Sequence, residues 1–192
     1  MSDWKQTSRK AFDPLVRLLA RLGVHPNALT VAGFLLSLVP AGLLVRGHFL
    51  GAGVILALVT PLDLLDGQLA RSTGKTTRFG ALLDSTLDRI SEFLLLGGYL
   101  VYFRGHPVVQ VQVFFLLLFA FLVSYVRARG EGLGVSVQAG PMDRTGRYLA
   151  YILLTLAGPR SFAGALPVLL VLVALTVVRR MAGLYNSLNS TK

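Results

Sequence analysis

The sequence predicts an all-α integral membrane protein, six transmembrane helices preceded by an amphipathic surface helix over about residues 3–22. Three observations predict it. Of the 192 residues, 54% are hydrophobic and only 15% charged, a composition that would leave a water-soluble domain with large exposed apolar patches. The apolar residues fall in long runs, as spanning helices require. The basic residues crowd into alternate breaks between those runs, the bias expected of cytoplasmic loops.

Taken in order, residues 1–21 alternate basic and apolar positions and lack the apolar block and cleavage site of a signal peptide. Trp4, Phe12, Leu15, Leu18 and Leu19 can share one helical face, while Lys5, Arg9, Lys10, Arg17 and Arg21 supply charge. That pattern suits a helix lying on the membrane surface; a basic helix packed on protein is the alternative. The spans are then expected at 28–45, 51–71, 80–103, 108–126, 147–157 and 162–178. The fifth is short of the roughly twenty residues a span needs. Gly and Pro mark the breaks at 46–48, 104–107 and 158–160, with polar stretches at 72–78 and 130–143.

One set of loops and ends carries Lys5, Arg9, Lys10, Arg17, Arg21, Arg71, Lys75, Arg78, Arg127, Arg129, Arg144, Arg147, Arg179, Arg180 and Lys192. The other carries Arg46, Arg104 and Arg160. Six spans with both termini in the cytoplasm satisfy this asymmetry at every loop. No internal repeat or broken helix is evident, and 1–192 reads as one domain in the cell membrane. The net charge of +10 flanks apolar helices, so anionic lipid and phosphate are the expected partners and nucleic acid is not. With no cysteine, disulfides, thiolate metal sites and thiol nucleophiles are excluded.

The acidic residues carry the chemistry. Asp63, Asp66, Asp84, Asp88 and Glu92 all fall within expected spans, where a carboxylate is costly unless paired, hydrated or bound to metal. Asp63 and Asp66 are three apart, and Asp84 and Asp88 four apart, so each pair shares a helix face. The short break at 72–78 predicts that these two helices run antiparallel as neighbours, joining the pairs into a four-carboxylate cluster roughly 5–12 Å below the surface. Carboxylates so close do not all stay ionised without cations. All-oxygen donors favour Mg or Mn, and two ions about 4 Å apart are a common device for phosphoryl chemistry. Structural pairing of the acids with Arg71, Arg78 and Arg89 is the plainer reading, and explains one or two acids better than four. Glu92, one turn deeper, is expected to pair with an internal arginine or polar group. His25, His48 and His106 are dispersed at helix boundaries and read as interfacial.

The run Asp63-Leu-Leu-Asp66-Gly67-Gln-Leu-Ala70-Arg71, followed after residues 72–79 by Gly80-Ala-Leu-Leu-Asp84-Ser-Thr-Leu-Asp88, resembles the signature of the CDP-alcohol phosphotransferase family at every fixed position. The resemblance implies a six-helix membrane enzyme, often homodimeric. It implies that Asp63, Asp66 and Asp84 ligate metal, and that Asp88 is both ligand and catalytic base. It also implies CDP-lipid contacts at Asn27, Ala28, Leu29, Thr30, Gly67, Arg71 and Thr77. The contexts 77–81, 83–91 and 124–129 are similar to bacterial phosphatidylinositol phosphate synthases. This implies CDP-diacylglycerol as donor and inositol phosphate as acceptor, its phosphate met by Arg127, Arg144, Arg147 and Arg180. Arg127 stands where those synthases usually carry lysine. Phosphatidylglycerol phosphate synthases, the alternative within the family, usually have lysine where this chain has Arg89. A reading from a different class, a divalent-cation transporter, would also use intramembrane carboxylates, but transporters often show repeated halves or broken helices.

Overall fold

A computed structural model describes residues 3–136 and 140–189, without the side chains of residues 3–11 and 63–64. The expectations for the side chains of Trp4, Lys5, Arg9, Lys10 and Asp63, and for Lys192, therefore lie outside the described residues. Eight helices follow in order: α1 (Asp3–Arg21), α2 (Pro26–Val45), α3 (Phe49–Val59), α4 (Leu62–Ser72), α5 (Arg78–Tyr102), α6 (Pro107–Gly132), α7 (Arg144–Leu156) and α8 (Pro159–Asn189). No strand occurs among the described residues.

The ends obey local chemistry. Pro26 and Pro107 open α2 and α6 at positions where the missing N–H costs no bond. Thr77 and Asp143 cap α5 and α7, accepting from the N–H of Gly80 at 2.9 Å and of Gly146 at 2.8 Å. After α2, Gly47 takes φ 78°, a left-handed conformation that lets the N–H of Gly47 and of His48 close back on Leu44 and Leu43. All three histidines sit at N-cap positions, and His25 Nδ1 accepts from the Asn27 N–H.

The structure corrects the expected second span. Residues 51–71 are not one helix: α3 ends at Val59 and α4 begins at Leu62. Pro61 offers no N–H, and its ring crowds the carbonyl four residues back. The expected neighbours α4 and α5 line one cavity but stand apart. Among the described residues, each packs on α2 and neither packs closely on the other, which leaves a cleft between them. Two ends differ as well, since α6 runs on to Gly132 and α8 to Asn189.

The main core joins α2, α3 and α5 to α6, α7 and α8. It holds Leu44, Phe49, Leu56, Leu96, Tyr99, Leu116, Tyr151, Phe162 and Leu166. The Tyr99 ring stacks on Phe162 with centroids 4.0 Å apart, and its hydroxyl bonds that of Thr155 on α7. The approach of α2 to α5 depends on Gly98: a Cβ there would lie 2.9 Å from the Ala41 carbonyl oxygen. Small residues allow such approach between membrane helices, and Ser37 bonds Ser91 across the same seam at 2.8 Å.

A smaller cluster holds α1 to α4 through Val16, Leu65 and Leu69, with Phe12 and Leu19 against them. Leu15, Leu18 and Leu22 stay exposed. The apolar face expected of α1 is thus divided between protein and surroundings.

Among the described residues three helices, α2, α6 and α8, are long and apolar enough to cross a membrane. Large side chains stand exposed along them, among them Leu35, Val111, Phe114, Phe121, Val168 and Val171. An exterior of this kind suits lipid. Helix α5 is as long, but its acids and Arg89 interrupt the apolar run; α7 has only 13 residues.

Substituting Gly98 by Ala is expected to destabilise the fold by about 1–3 kcal/mol through overpacking. The same change at Gly97, where a Cβ meets nothing within 4 Å, is expected to be neutral or slightly stabilising. Thermal unfolding of the two variants in one detergent checks the contrast.

Candidate active site

The cleft between α4 and α5, closed by the start of α2, is a cavity of about 210 Å³. Asn27 and Thr30 line it from α2; Asp66, Gly67, Ala70 and Arg71 from α4; Thr77, Gly80, Ala81 and Asp84 from α5 and its cap. Each element delivers its residues for a local reason. The break at Pro61 turns α4 so that its motif face meets the cavity while Leu65 and Leu69, on the other face, pack under α1. Thr77 fixes the start of α5, bringing Gly80 so near Asn27 that a Cβ would lie 3.0 Å from its Oδ1.

Asp66 is 6% exposed. Its Oδ2 accepts from the Thr30 hydroxyl at 2.6 Å, and that hydroxyl also reaches the Pro26 carbonyl at 3.1 Å, so the side chain of Thr30 is held toward the acid. The Arg71 guanidinium lies over Gly67, about 3.4 Å from where a Cβ would stand. Gly67 thus leaves room for the arginine to lie across the cavity, where its planar fork can meet phosphate oxygens.

The structure sorts the expected donor-site residues. Asn27, Thr30, Gly67, Arg71 and Thr77 come together with Asp66 and Asp84. Ala28 and Leu29 do not line the cavity: Ala28 faces outward, and Leu29 packs toward α1 and α4. On a helix, neighbours in sequence point about 100° apart, so four consecutive residues cannot all face one cavity.

Asp88 lies one turn beyond Asp84 and pairs with Arg144 of α7 at 2.5 Å. Among the described residues no three acidic or imidazole side chains form one metal-holding group. Asp66 and Asp84 nevertheless share a cavity with the oxygens of Asn27, Thr30 and Thr77 and no sulfur or imidazole, a set that fits a hard divalent cation.

The four arginines expected at an acceptor phosphate have different settings. Arg127, at the end of α6, is exposed and pairs with Glu131 at 2.8 Å. Arg144 stands against Asp88 with its guanidinium 5.0 Å from the centre of the Tyr148 ring. Arg180 is buried and donates to the Val123 carbonyl at 2.7 Å. Arg147 is fully buried. Its Nε and Nη2 donate to the two oxygens of Glu92 at 2.7 and 2.6 Å, and Tyr151 adds a bond to Glu92 at 3.1 Å. Arg147 is therefore inside α7's packed face rather than at a loop end. Glu92 pairs with an internal arginine, as expected.

Sequence reasoning missed what fixes the start of α7. The Met142 N–H donates to Thr176 Oγ1 of α8 at 3.0 Å. Gly140, at φ 119°, comes so close to Thr176 that any Cβ would collide with it. A glycine-proline pair before an aspartate cap was the available signal.

The CDP-alcohol phosphatidyltransferase family matches residues 23–182, and the chain belongs to that family. It is 37% identical over 162 residues to a phosphatidylinositol phosphate synthase of Streptomyces avermitilis, covering 81% of this chain and 64% of that one. It is 42% identical over 128 residues to an archaetidylinositol phosphate synthase of Pyrococcus horikoshii, covering 65% and 66%. The chain thus spans just under two thirds of the length of these relatives. The fold resembles crystal structures of Mycobacterium tuberculosis phosphatidylinositol phosphate synthase, at 27% identity. The form with CDP-DAG bound gives a TM-score of 0.84, covering 90% of this chain and 92% of that one. The form in complex with manganese and citrate gives 0.83, covering 90% and 88%.

Replacing Thr30 by Val keeps the shape and removes the donor to Asp66. If Asp66 holds a divalent cation, the expected outcome is Mn²⁺ binding weakened about tenfold or more, the usual range for losing a group that orients a ligand. Calorimetric titration of the purified variant reads this directly, with little change expected in the unfolding temperature.

Proposed function

We propose that this protein transfers a phosphatidyl group from CDP-diacylglycerol to an inositol phosphate, releasing CMP. The observation that carries the reading is the cavity where Asp66, Asp84, Gly67, Arg71 and Thr77 meet. It joins carboxylates, a guanidinium and a glycine-lined wall, as a metal-bound diphosphate needs. Similarity to phosphatidylinositol phosphate synthases supports the choice of acceptor.

In this reading Asp63, Asp66, Asp84 and Asp88 hold two Mg²⁺ or Mn²⁺ ions. Bound there, the ions would neutralise the diphosphate and favour departure of the CMP oxygen. Asn27, Thr30, Gly67, Arg71 and Thr77 hold the CDP moiety, with Arg71 on phosphate. Asp88 takes the proton from the acceptor hydroxyl, since a neutral alcohol is a weak nucleophile. The acceptor oxygen then forms its bond to the lipid-side phosphorus as the bond to the CMP phosphate breaks.

Arg144 supports the placement of the acceptor. Its guanidinium already lies against Asp88, so an acceptor phosphate drawn to Arg144 arrives beside the base. Arg127 and Arg180 complete a basic end of α6 and α8, while Arg147, buried on Glu92 inside α7's packed face, adds its charge from beneath, its Nη1 buried without a hydrogen bond.

The chain crosses the cell membrane six times as one domain, with α3 and α4 sharing one crossing. Its site and both termini face the cytoplasm, where the soluble acceptor is found, and it pairs as a homodimer. The lipid tails remain in the bilayer, so the donor enters from the side.

The test is CMP release by purified protein with CDP-diacylglycerol and Mg²⁺, comparing inositol phosphate, glycerol phosphate, free inositol and serine. Release with inositol phosphate alone is the expected result; preference for glycerol phosphate would move the protein to the other anionic-acceptor class. Asp88→Asn is expected to lower kcat by about 10²–10⁴ while CDP-lipid binding persists.

A further inference from the structure

Helices α5 and α7 are joined in an unusual way. Among the described residues their backbones do not pack closely on each other. They are linked by side chains: Asp88 to Arg144, Glu92 to Arg147 and Tyr151, and Tyr99 to Thr155. The rungs ascend together, so the helices run parallel and in register. The middle rung is buried and charged, whereas the equally buried rung of Tyr99 and Thr155 is neutral. Glu92 is 6% exposed and Arg147 not exposed at all, and both carboxylate oxygens are taken by the guanidinium.

We propose, resting on the transferase reading above, that Glu92 is a positioning residue for acceptor binding. A bidentate pair fixes the plane of a guanidinium as well as its place. By locking Arg147, Glu92 holds the height and rotation of the first turn of α7 from the side of α5, as Thr176 holds it from α8. That turn also carries Arg144, three residues earlier on the same helical face. The register that places Arg144 at Asp88 is thus held from the protein interior, one turn deeper than the reacting groups. Glu92 touches neither donor nor acceptor; it acts through Arg147. Its loss is expected to affect use of the acceptor and to leave the donor cavity, on the far side of Asp84, unchanged.

The test compares wild type, Glu92→Gln, Arg147→Gln and the double variant in the CMP-release assay, with unfolding temperatures measured in parallel. Glu92→Gln is expected to raise the acceptor KM about tenfold or more, with the CDP-lipid KM within about twofold of wild type. Removing one partner of a buried pair leaves an uncompensated charge, whereas removing both does not. The double variant is therefore expected to recover the unfolding temperature lost in Glu92→Gln, yet to keep the raised acceptor KM of Arg147→Gln. A purely structural pair would instead recover acceptor KM together with stability. That result, or an unchanged acceptor KM in Glu92→Gln, or an equal rise in both KM values, would overturn the proposal alone. Absence of CMP release by wild type with every acceptor would overturn the transferase reading and this proposal with it.

Discussion

A carboxylate inside an apolar helix bundle must have a partner. Helix α5 carries three, Asp84, Asp88 and Glu92, and α4 carries Asp66 opposite them. Three of these acids commit neighbours on other helices: a hydroxyl from α2 at Asp66, arginines from α7 at Asp88 and Glu92. Much of the remaining architecture serves those partnerships. The close seam of α2 on α5 at Gly98, the aspartate cap of α7 and the loop held on Thr176 keep the partner side chains in reach.

The division of labour follows from how strongly each acid is paired. Glu92 is saturated by Arg147 and Tyr151, and so belongs to the scaffold. Asp66 and Asp84 face a cavity large enough for a ligand, and in the proposed reading they hold the metal. Asp88 lies between these two conditions, one turn from the cavity and one turn from the buried pair. Its arginine is neither as buried as Arg147 nor as exposed as Arg127. A group in that position can exchange partners without unfolding anything.

The sequence made the membrane class, the order of the helices and the acid pairs legible, because apolar runs and misplaced charges are properties of single segments. It did not reveal that Pro61 breaks a helix while the helices containing Pro40 and Pro167 continue through them. Whether a proline ends a helix depends on what neighbouring segments supply to the freed carbonyls, and that is a tertiary fact. The same limit applied to Asn27–Thr30, a run of four residues in which helical rotation admits only Asn27 and Thr30 to the cavity. Which partner each arginine takes was also hidden. Arg144 and Arg147 look alike in a basic loop, yet one reaches an acid beside the cavity and the other is buried in the core.

The shortness of α7 has a consequence for the surrounding lipid. Thirteen residues rise about 20 Å, against a hydrocarbon layer roughly 30 Å thick. In the six-crossing reading proposed above, such a mismatch is met by thinning the film locally or by flanking side chains that snorkel to the surface. Local thinning lowers the water boundary next to α7, and in the proposed transferase reading a charged, water-borne acceptor then meets a lipid-held donor without leaving solvent. On that reading the protein works at a dimple in the bilayer of its own making.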